Sequence, residues 1–318
     1  MMAEARAQDL REAVVEELCT AADEGLPLVV LVSDSTSTSS IAPFHTRFPD
    51  RLINVGIAEQ NLLGMAAGLS LGGFISVTAN AACFLTARSC EQLKTDICYS
   101  NTNVKLLGLN AGVAYGPLAS THHAIDDISI LLGFGTIEVF APSDGREAAQ
   151  ILRYALGHVG PVYIRMDNTA LPVVHGPAYR FQPGRVDVVR EGKDLTIFAL
   201  GTLLHEALEA ARALSARGVD VCVAALPSLR PLDADEVDRL AMATGAVVTV
   251  EEHSLHGGIG SIVSEILADR GHAVRLARQG IPQGEFAKAG PRGRIREYYG
   301  IDAAGIEQAC RRLLGMEG

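Results

Sequence analysis

One carboxylate occupies an unusual place in the chain. Glu59 comes directly after the apolar run Leu52–Ile57 and begins the small-residue helical pattern Glu59–Leu71. In a parallel α/β sheet, ligands bind at the carboxyl ends of the strands. A glutamate there either stabilises the first turn of its helix, where the helix dipole favours an acid by about 0.3–1 kcal/mol, or exchanges a proton with a ligand. Position alone favours the helix-turn interpretation.

Further reactive groups follow the next predicted strands. Phe84 is the only aromatic residue of the stretch Thr78–Asp96, and by itself it is most simply a core residue. The glycine-rich loop Gly108–Asp127 ends in His122–His123 and Asp126–Asp127. Glycine lets a backbone approach a ligand closely. We do not interpret the loop as a metal site, because adjacent histidines at a helix start point in different directions. For His122, a role in a site and a capping or surface role are equally open.

The elements that position these groups alternate along the first half of the chain. The predicted strands are Leu28–Val32, Leu52–Ile57, Phe74–Thr78, Val104–Asn110, Thr136–Phe140 and Pro161–Arg165. The predicted helices are Gln8–Ala22, Glu59–Leu71, Phe84–Tyr99, His123–Leu132 and Asp144–Gly157. Alternation of this kind predicts a mostly parallel sheet covered by helices on both faces.

A change in composition divides the chain. Residues 172–192 contain three prolines and several glycines without a sustained period, which is typical of a linker. Alternation then resumes, with predicted strands at Leu195–Ala199, Val221–Leu226 and Ala246–Val250. We therefore predict a first domain at 1–171, a linker at 172–192 and a smaller α/β domain at 193–318.

The composition excludes several classes of protein. The 318 residues carry a formal net charge of -10 without a Lys/Arg cluster, which argues against nucleic-acid binding. No apolar run approaches the length of a membrane span, and the N-terminus lacks a signal pattern. The six cysteines form no CxxC pair and no metal-ligand spacing. We expect a cytoplasmic protein that binds neither membrane nor nucleic acid.

Taken together, these segments resemble the C-terminal half of the transketolases, which are thiamine diphosphate enzymes. The resemblance covers nearly the whole chain. Its motifs occur in family order: RLINVGIAEQN, AAGLSLGG, the Phe84 stretch, STHH and APSDGREA, then VTVEEH, GGIGS and REYYGID. It implies an α/β fold with a pyrimidine-binding domain, built on a parallel sheet with helices on both faces, followed by a smaller transketolase C-terminal domain.

The resemblance also implies roles for residues around the cofactor. Glu59 is expected to hydrogen-bond ring nitrogen N1′ of the aminopyrimidine and to promote its imino tautomer, which deprotonates C2 of the thiazolium. Phe84 is expected to stack on the same ring. Asp34 and Ile57 are expected in the cofactor neighbourhood, and His122 near the donor carbonyl as a second catalytic residue.

On the substrate side, the resemblance places Arg165 at the substrate phosphate, where a bidentate guanidinium is well suited. Asn110 and Thr38 are expected to line the same site. Leu118 and Asn110 replace an Asp and a His that many transketolases use to bind a ketose, so the sugar specificity is open. The family's N-terminal arginine corresponds to either Arg6 or Arg11.

One family motif is missing from the sequence. The GDG-type motif that holds Mg²⁺ and the diphosphate has no counterpart here. The resemblance therefore implies the C-terminal subunit of a split transketolase, active only with an N-terminal partner that carries this motif and the Mg²⁺ ligands, in an α₂β₂ assembly. No metal ligand is expected on this chain. Glu251, Glu252 and His253 end a strand at a predicted subunit or domain boundary and are expected to pack against the partner, and a solvated acidic loop is the alternative.

The sequence thus predicts transfer of a two-carbon ketol unit from a ketose phosphate donor to an aldose phosphate acceptor. Two alternatives remain. One keeps thiamine diphosphate but uses an α-keto acid, with decarboxylation and acyloin formation. The other is a degenerate, non-catalytic subunit, against which the joint presence of Glu59, Phe84 and His122 argues.

Overall fold

The computed structural model describes residues 7–316, and Arg6 lies outside them. A seven-stranded sheet contains six parallel strands from the first half of the chain. These are β1 (Leu28–Val32), β2 (Leu52–Asn54), β3 (Ile75–Ala81), β4 (Val104–Leu109), β5 (Glu138–Phe140) and β6 (Val162–Arg165). Among these six strands the order across the sheet is β5, β6, β4, β3, β1, β2.

Helices cover both faces of this sheet. They are α1 (Leu10–Asp23), α2 (Ala42–Arg47), α3 (Glu59–Leu71), α4 (Cys90–Gln92), α5 (Asp127–Leu132) and α6 (Gly145–Gly157). Alternate residues of β1 belong to different cores: Leu28 and Val30 pack with α1, whereas Val29 and Leu31 pack with α3. A strand buried on both sides reads as a continuous apolar run, and the predicted fold class is confirmed.

The strands of a second, five-stranded sheet are β7 (Asp187–Arg190), β8 (Leu195–Ala199), β9 (Val221–Ala225), β11 (Ala246–Ser254) and β12 (Arg275–Ile281). Their order across the sheet is β12-β11-β8-β9-β7. Its helices are α7 (Leu203–Ser215), α8 (Ala234–Thr244), α9 (Ile259–Asp269), α10 (Arg292–Tyr299) and α11 (Ala303–Leu313). β7 lies within the predicted linker 172–192 and pairs antiparallel with β9. After β9 in the chain, β10 (Ser228–Arg230) pairs antiparallel with β5 of the first sheet.

Two predicted helices differ from the observed ones. The stretch predicted as one helix, Phe84–Tyr99, contains π-helical segments at Phe84–Arg88 and Leu93–Tyr99 on either side of α4. The amide of Ser89 donates to the carbonyl of Phe84, five residues earlier, at 3.3 Å. The helix predicted from His123 begins only at Asp127, because paired backbone hydrogen bonds hold Ala124 against Gly112.

The end of β11 packs inside the chain. Glu251, Glu252 and His253 are all buried. Glu251 accepts hydrogen bonds from the first amides of α9, while Glu252 forms ion pairs with Arg292 and Arg296 of α10. The expectation that these side chains pack against a partner subunit is therefore wrong, because all three are buried within this chain.

In the part of the chain that the structure describes, no helix has both the length and the apolar character to cross a membrane.

Candidate active site

The carboxyl ends of four neighbouring parallel strands carry the candidate residues. Glu59 is the first residue of α3, just after β2, and only 4% of it is exposed. The loop before it is tied to the end of β1, because the Ser33 hydroxyl donates to the Gly56 carbonyl at 2.7 Å and accepts from the Ala58 amide at 3.0 Å. These bonds hold the start of α3 at the edge of the sheet.

Glu59, Phe84 and His122 form one group with a residue that the sequence did not suggest. Arg88 Nη1 lies 2.8 Å from Glu59 Oε2, and the guanidinium carbon lies 4.1 Å from the centre of the Phe84 ring. The His122 ring is 5.2 Å from the same ring, edge to face. A buried carboxylate and a half-buried aromatic ring thus both contact one guanidinium. This arrangement fits an aminopyrimidine, which needs a carboxylate at its edge and a ring against its face.

The neighbours of His122 determine which of its nitrogens is free. The Thr121 hydroxyl donates its single hydrogen to the Leu118 carbonyl at 3.1 Å, and the same oxygen is 2.9 Å from His122 Nδ1. With the hydroxyl hydrogen on the Leu118 carbonyl, Nδ1 of a neutral His122 ring donates to Thr121 and Nε2 is an acceptor. Tyr115, which the sequence analysis did not single out, packs against His122, with 5.2 Å between the two ring centres. His122 can therefore accept a hydrogen bond or a proton.

Asn110 provides a second acceptor in this region. It lies just beyond β4 with a φ of 54°, a left-handed conformation that asparagine tolerates better than most residues. Its side chain is buried, and within residues 7–316 no hydrogen-bond donor reaches Oδ1. Burial raises the pKa of the nearby Tyr115 hydroxyl, and a hydrogen bond with Asn110 opposes this shift. An unpaired buried carbonyl oxygen suits a ligand hydroxyl.

The other predicted site residues occupy the rim of the sheet edge. Asp34 is exposed, has a φ of 54° and donates its amide to Asn54 Oδ1 at 3.1 Å. The side chain of Ile57 is 76% exposed. The carbonyl of Thr38 accepts from Arg11 Nη1 at 3.0 Å, and Arg11 is ion-paired with Asp9 at 2.6 Å. Arg11 thus joins the start of α1 to the loop after β1.

Arg165 does not fit the phosphate-binding role expected from the sequence. It ends β6, and its guanidinium points into the interior, where Nε lies 2.9 Å from Asp127 Oδ2. Its Nη2 donates to the carbonyls of Ala124 and Glu252 at 3.1 and 3.0 Å. With the side chain only 8% exposed, these internal bonds leave it unsuited to a substrate.

Comparison with protein families identifies two domains in the same order as the two sheets. Residues 6–173 match the transketolase pyrimidine binding domain, and residues 184–306 match the transketolase C-terminal domain. The chain is 50% identical over 300 residues to an apulose-4-phosphate transketolase subunit of Actinobacillus succinogenes, covering 94% of this chain and 96% of that protein. It is 34% identical over 304 residues to a 6-deoxy-6-sulfo-D-fructose transketolase subunit of a Clostridium species, covering 96% and 94% of the two chains.

A solved structure of similar length gives the same result. A split gene transketolase, described as an inactive beta4 tetramer, superposes with a TM-score of 0.87 at 36% identity and covers 98% of this chain and 100% of its own. Because both domain types occur in family order and nearly the full length of split-gene subunits is matched, this chain belongs to the transketolase family, as a C-terminal subunit of the two-chain form.

Proposed function

We propose that this chain joins an N-terminal partner in an α₂β₂ enzyme that transfers a two-carbon ketol unit from a ketose phosphate to an aldose phosphate. The observation that carries the proposal is the contact group of Glu59, Phe84 and His122 at the edge of the first sheet. When bound, thiamine diphosphate supplies a carbon nucleophile and an electron sink that the side chains of this chain lack.

The residues of this chain would position that cofactor and move protons. Glu59 would hold the proton at ring nitrogen N1′, since its carboxylate is buried and fixed at the start of α3. Phe84 would support the ring face. His122 Nε2 would accept a proton or hydrogen bond from the substrate, and Asp34 and Ile57 would line the rim where the cofactor enters.

We propose apulose-4-phosphate as the first donor to test. The relative of that name is 50% identical over 94% of this chain. The local residues support a donor outside the usual range, because Leu118 has no hydrogen-bonding side chain and Asn110 offers an unpaired acceptor. A site that hydrogen-bonds a hydroxyl rejects analogues without that group.

The partner would supply the Mg²⁺ ligands and the diphosphate site. Support comes from exposed apolar side chains on α3, on the loop before it and on the segment before β4. Ile57, in the loop before α3, and Leu71, at its end, are both 76% exposed, and Tyr99 is 89% exposed. Apolar surface of this kind is typical of a protein interface. All six cysteines are free thiols, which supports our proposal of a cytoplasmic location.

The proposal is tested by reconstitution. The chain is mixed with an N-terminal subunit that carries the GDG-type motif, thiamine diphosphate and Mg²⁺, and ketol transfer from apulose-4-phosphate and other ketose phosphates is assayed. We expect transfer only when both chains are present. Absence of both cofactor binding and transfer would contradict the proposal, and carbon dioxide release from pyruvate would indicate an α-keto acid enzyme instead.

The Glu59→Gln variant tests the assigned proton carrier. An amide cannot exchange a proton with the ring, so we expect the reconstituted rate to fall by at least about 100-fold. Glu91→Gln, an acidic residue of α4, is the matched control and should leave the rate unchanged. An unaltered rate for Glu59→Gln would remove Glu59 from the mechanism.

A further inference from the structure

Arg88 is the one cation ion-paired with Glu59 in the described part of the chain. The ion pair of 2.8 Å joins a guanidinium whose side chain is 45% exposed to a carboxylate whose side chain is 5% exposed. The same guanidinium lies over Phe84, 4.1 Å from the ring centre. Arg88 therefore contacts both residues that are proposed to hold the aminopyrimidine.

We propose that Arg88 is a positioning residue that aligns the Glu59 carboxylate while it meets the cofactor ring. The inference rests on the proposed function. It follows from the geometry of the ion pair, in which Arg88 Nη1 approaches one carboxylate oxygen of Glu59, Oε2, at 2.8 Å. The second oxygen can then receive the ring nitrogen.

The charge of Arg88 favours one protonation state over the other. Glu59 would hold the proton at ring nitrogen N1′ of a bound ring from which one further proton is lost to solvent. The ring and carboxylate together then carry one net negative charge. A guanidinium at ion-pair distance stabilises that state relative to the protonated one. Because Arg88 is partly exposed, solvent reduces the effect in the isolated chain, and the interface with the partner would strengthen it.

Geometry supports a fixed role for this arginine. The π-helical turn Phe84–Arg88 places its first and last side chains together, so that the Phe84 face holds the guanidinium by a cation–π contact. Other ionisable side chains around α3 are Asp34, Glu91, Lys94, Asp96, Lys105 and His122. None of these six described residues is ion-paired with Glu59.

The test uses the reconstituted two-subunit complex with Arg88→Gln, Arg88→Lys and, as a matched control, Arg47→Gln, which removes an exposed ion pair with Asp23. Near-ultraviolet circular dichroism of bound thiamine diphosphate follows the pH at which the imino tautomer forms. We expect Arg88→Gln to raise this pH by about one unit. Arg88→Lys should keep it close to the wild-type value, and Arg47→Gln should leave it unchanged.

Turnover provides a second measurement. The kcat of Arg88→Gln should fall about tenfold at low pH and recover as the pH rises, with little change in KM for the donor. An unchanged tautomer pH in Arg88→Gln, or a shift to lower pH, would overturn the inference. If Arg88→Gln fails to assemble, Arg88→Met, which also removes the charge, takes its place, and an unchanged tautomer pH in that variant would overturn the inference equally. The proposed function fails separately, through an inactive wild-type complex.

Discussion

Two arginines near the candidate site lie in different environments. Arg165 ends an interior strand and pairs with the fully buried Asp127. Arg88 leaves the edge of the sheet on a π-helical turn and reaches Glu59 and Phe84. Both residues carry the same guanidinium group. Their environments differ because Arg165 is surrounded by internal acceptors, whereas Arg88 lies at the exposed edge of the sheet.

Asn110 leads to a prediction about substrate affinity. Asn110→Gly removes the unpaired acceptor without backbone strain, because glycine accepts the φ of 54°. We expect kcat/KM for the donor to fall about tenfold, the loss of one hydrogen bond of about 1.4 kcal/mol, with an unchanged dissociation constant for thiamine diphosphate.

The matched control for Asn110→Gly is Asn101→Gly. Asn101 also has a positive φ, of 48°, but lies in an exposed turn. Its variant should keep the kcat/KM of wild type. Equal kcat/KM values for wild type and Asn110→Gly would mean that Asn110 Oδ1 does not contact the substrate.

At the scale of elements, the segment after β3 departs from a regular helix where the chemistry is expected. The π-helical turn from Phe84 to Arg88 adds a residue to the turn, and π-bulges are frequent at functional sites. Local hydrophobic period predicted a continuous helix there. The spacing of apolar residues indicates which face of a helix is buried. It does not indicate the extra residue, which depends on the hydrogen bond from the Ser89 amide to the Phe84 carbonyl.

A buried histidine connects α6, the predicted linker and β7. His175 Nδ1 is 2.8 Å from Asp144 Oδ2, and Nε2 is 2.8 Å from Asp187 Oδ2. Asp144 also caps α6 through the Glu147 amide. Ligand atoms of Glu147, His175 and Asp187 lie close enough together for a metal ion. Both ring nitrogens of His175 are used in hydrogen bonds, so we interpret the cluster as an ion network.

This network predicts a pH dependence of stability. Burial by itself lowers the pKa of His175, but hydrogen bonds to Asp144 and Asp187 outweigh it and raise that pKa to about 10. The folded pKa exceeds the unfolded value of about 6.5, so the stabilisation is complete below pH about 6.5 and is lost as the pH rises towards 10.

His175→Gln should therefore lower the free energy of unfolding by about 3 kcal/mol at pH 6 and by much less near pH 10. Urea unfolding at several pH values measures this difference, with the exposed His45→Gln as control. A difference that does not depend on pH would show that His175 is not held in its charged form.

At the scale of the whole molecule, a buried ion network joins the two sheets. Arg292 of α10 donates to Asp167, just after β6, at 2.5 and 2.6 Å, and to Glu252 of β11 at 2.9 Å. Although burial alone raises the pKa of Glu252, Arg292 and Arg296 lower it to about 2. β10 adds a second connection by extending the first sheet from the second half of the chain.

Arg292→Ala would leave two buried carboxylates without this partner. We expect the free energy of unfolding, measured in urea, to fall by about 3–5 kcal/mol. Arg294→Ala, on the same helix but exposed and paired with Glu297, should leave it close to the wild-type value. Equal losses for the two variants would mean that the network does not stabilise the contact between the sheets.

The stabilisation from Glu252 should also depend on pH. Its folded pKa lies below the unfolded value, so its contribution is present above pH about 4.3 and disappears as the pH falls towards 2.

The amino-acid sequence was sufficient to predict the six strands of the first half of the chain and to place Glu59, Phe84 and His122 after successive strands. Hydrophobic period and strand-end position are local properties, and the motifs identified the family. Which polar groups remain available was settled by packing. Arg165 is ion-paired with Asp127, and Glu252 is ion-paired with Arg292. Arg88 is ion-paired with Glu59, and Asn110 Oδ1 has no hydrogen-bond partner among the described residues. Most of these pairings join residues far apart in the chain, so they depend on how helices and sheets pack, which no local pattern records.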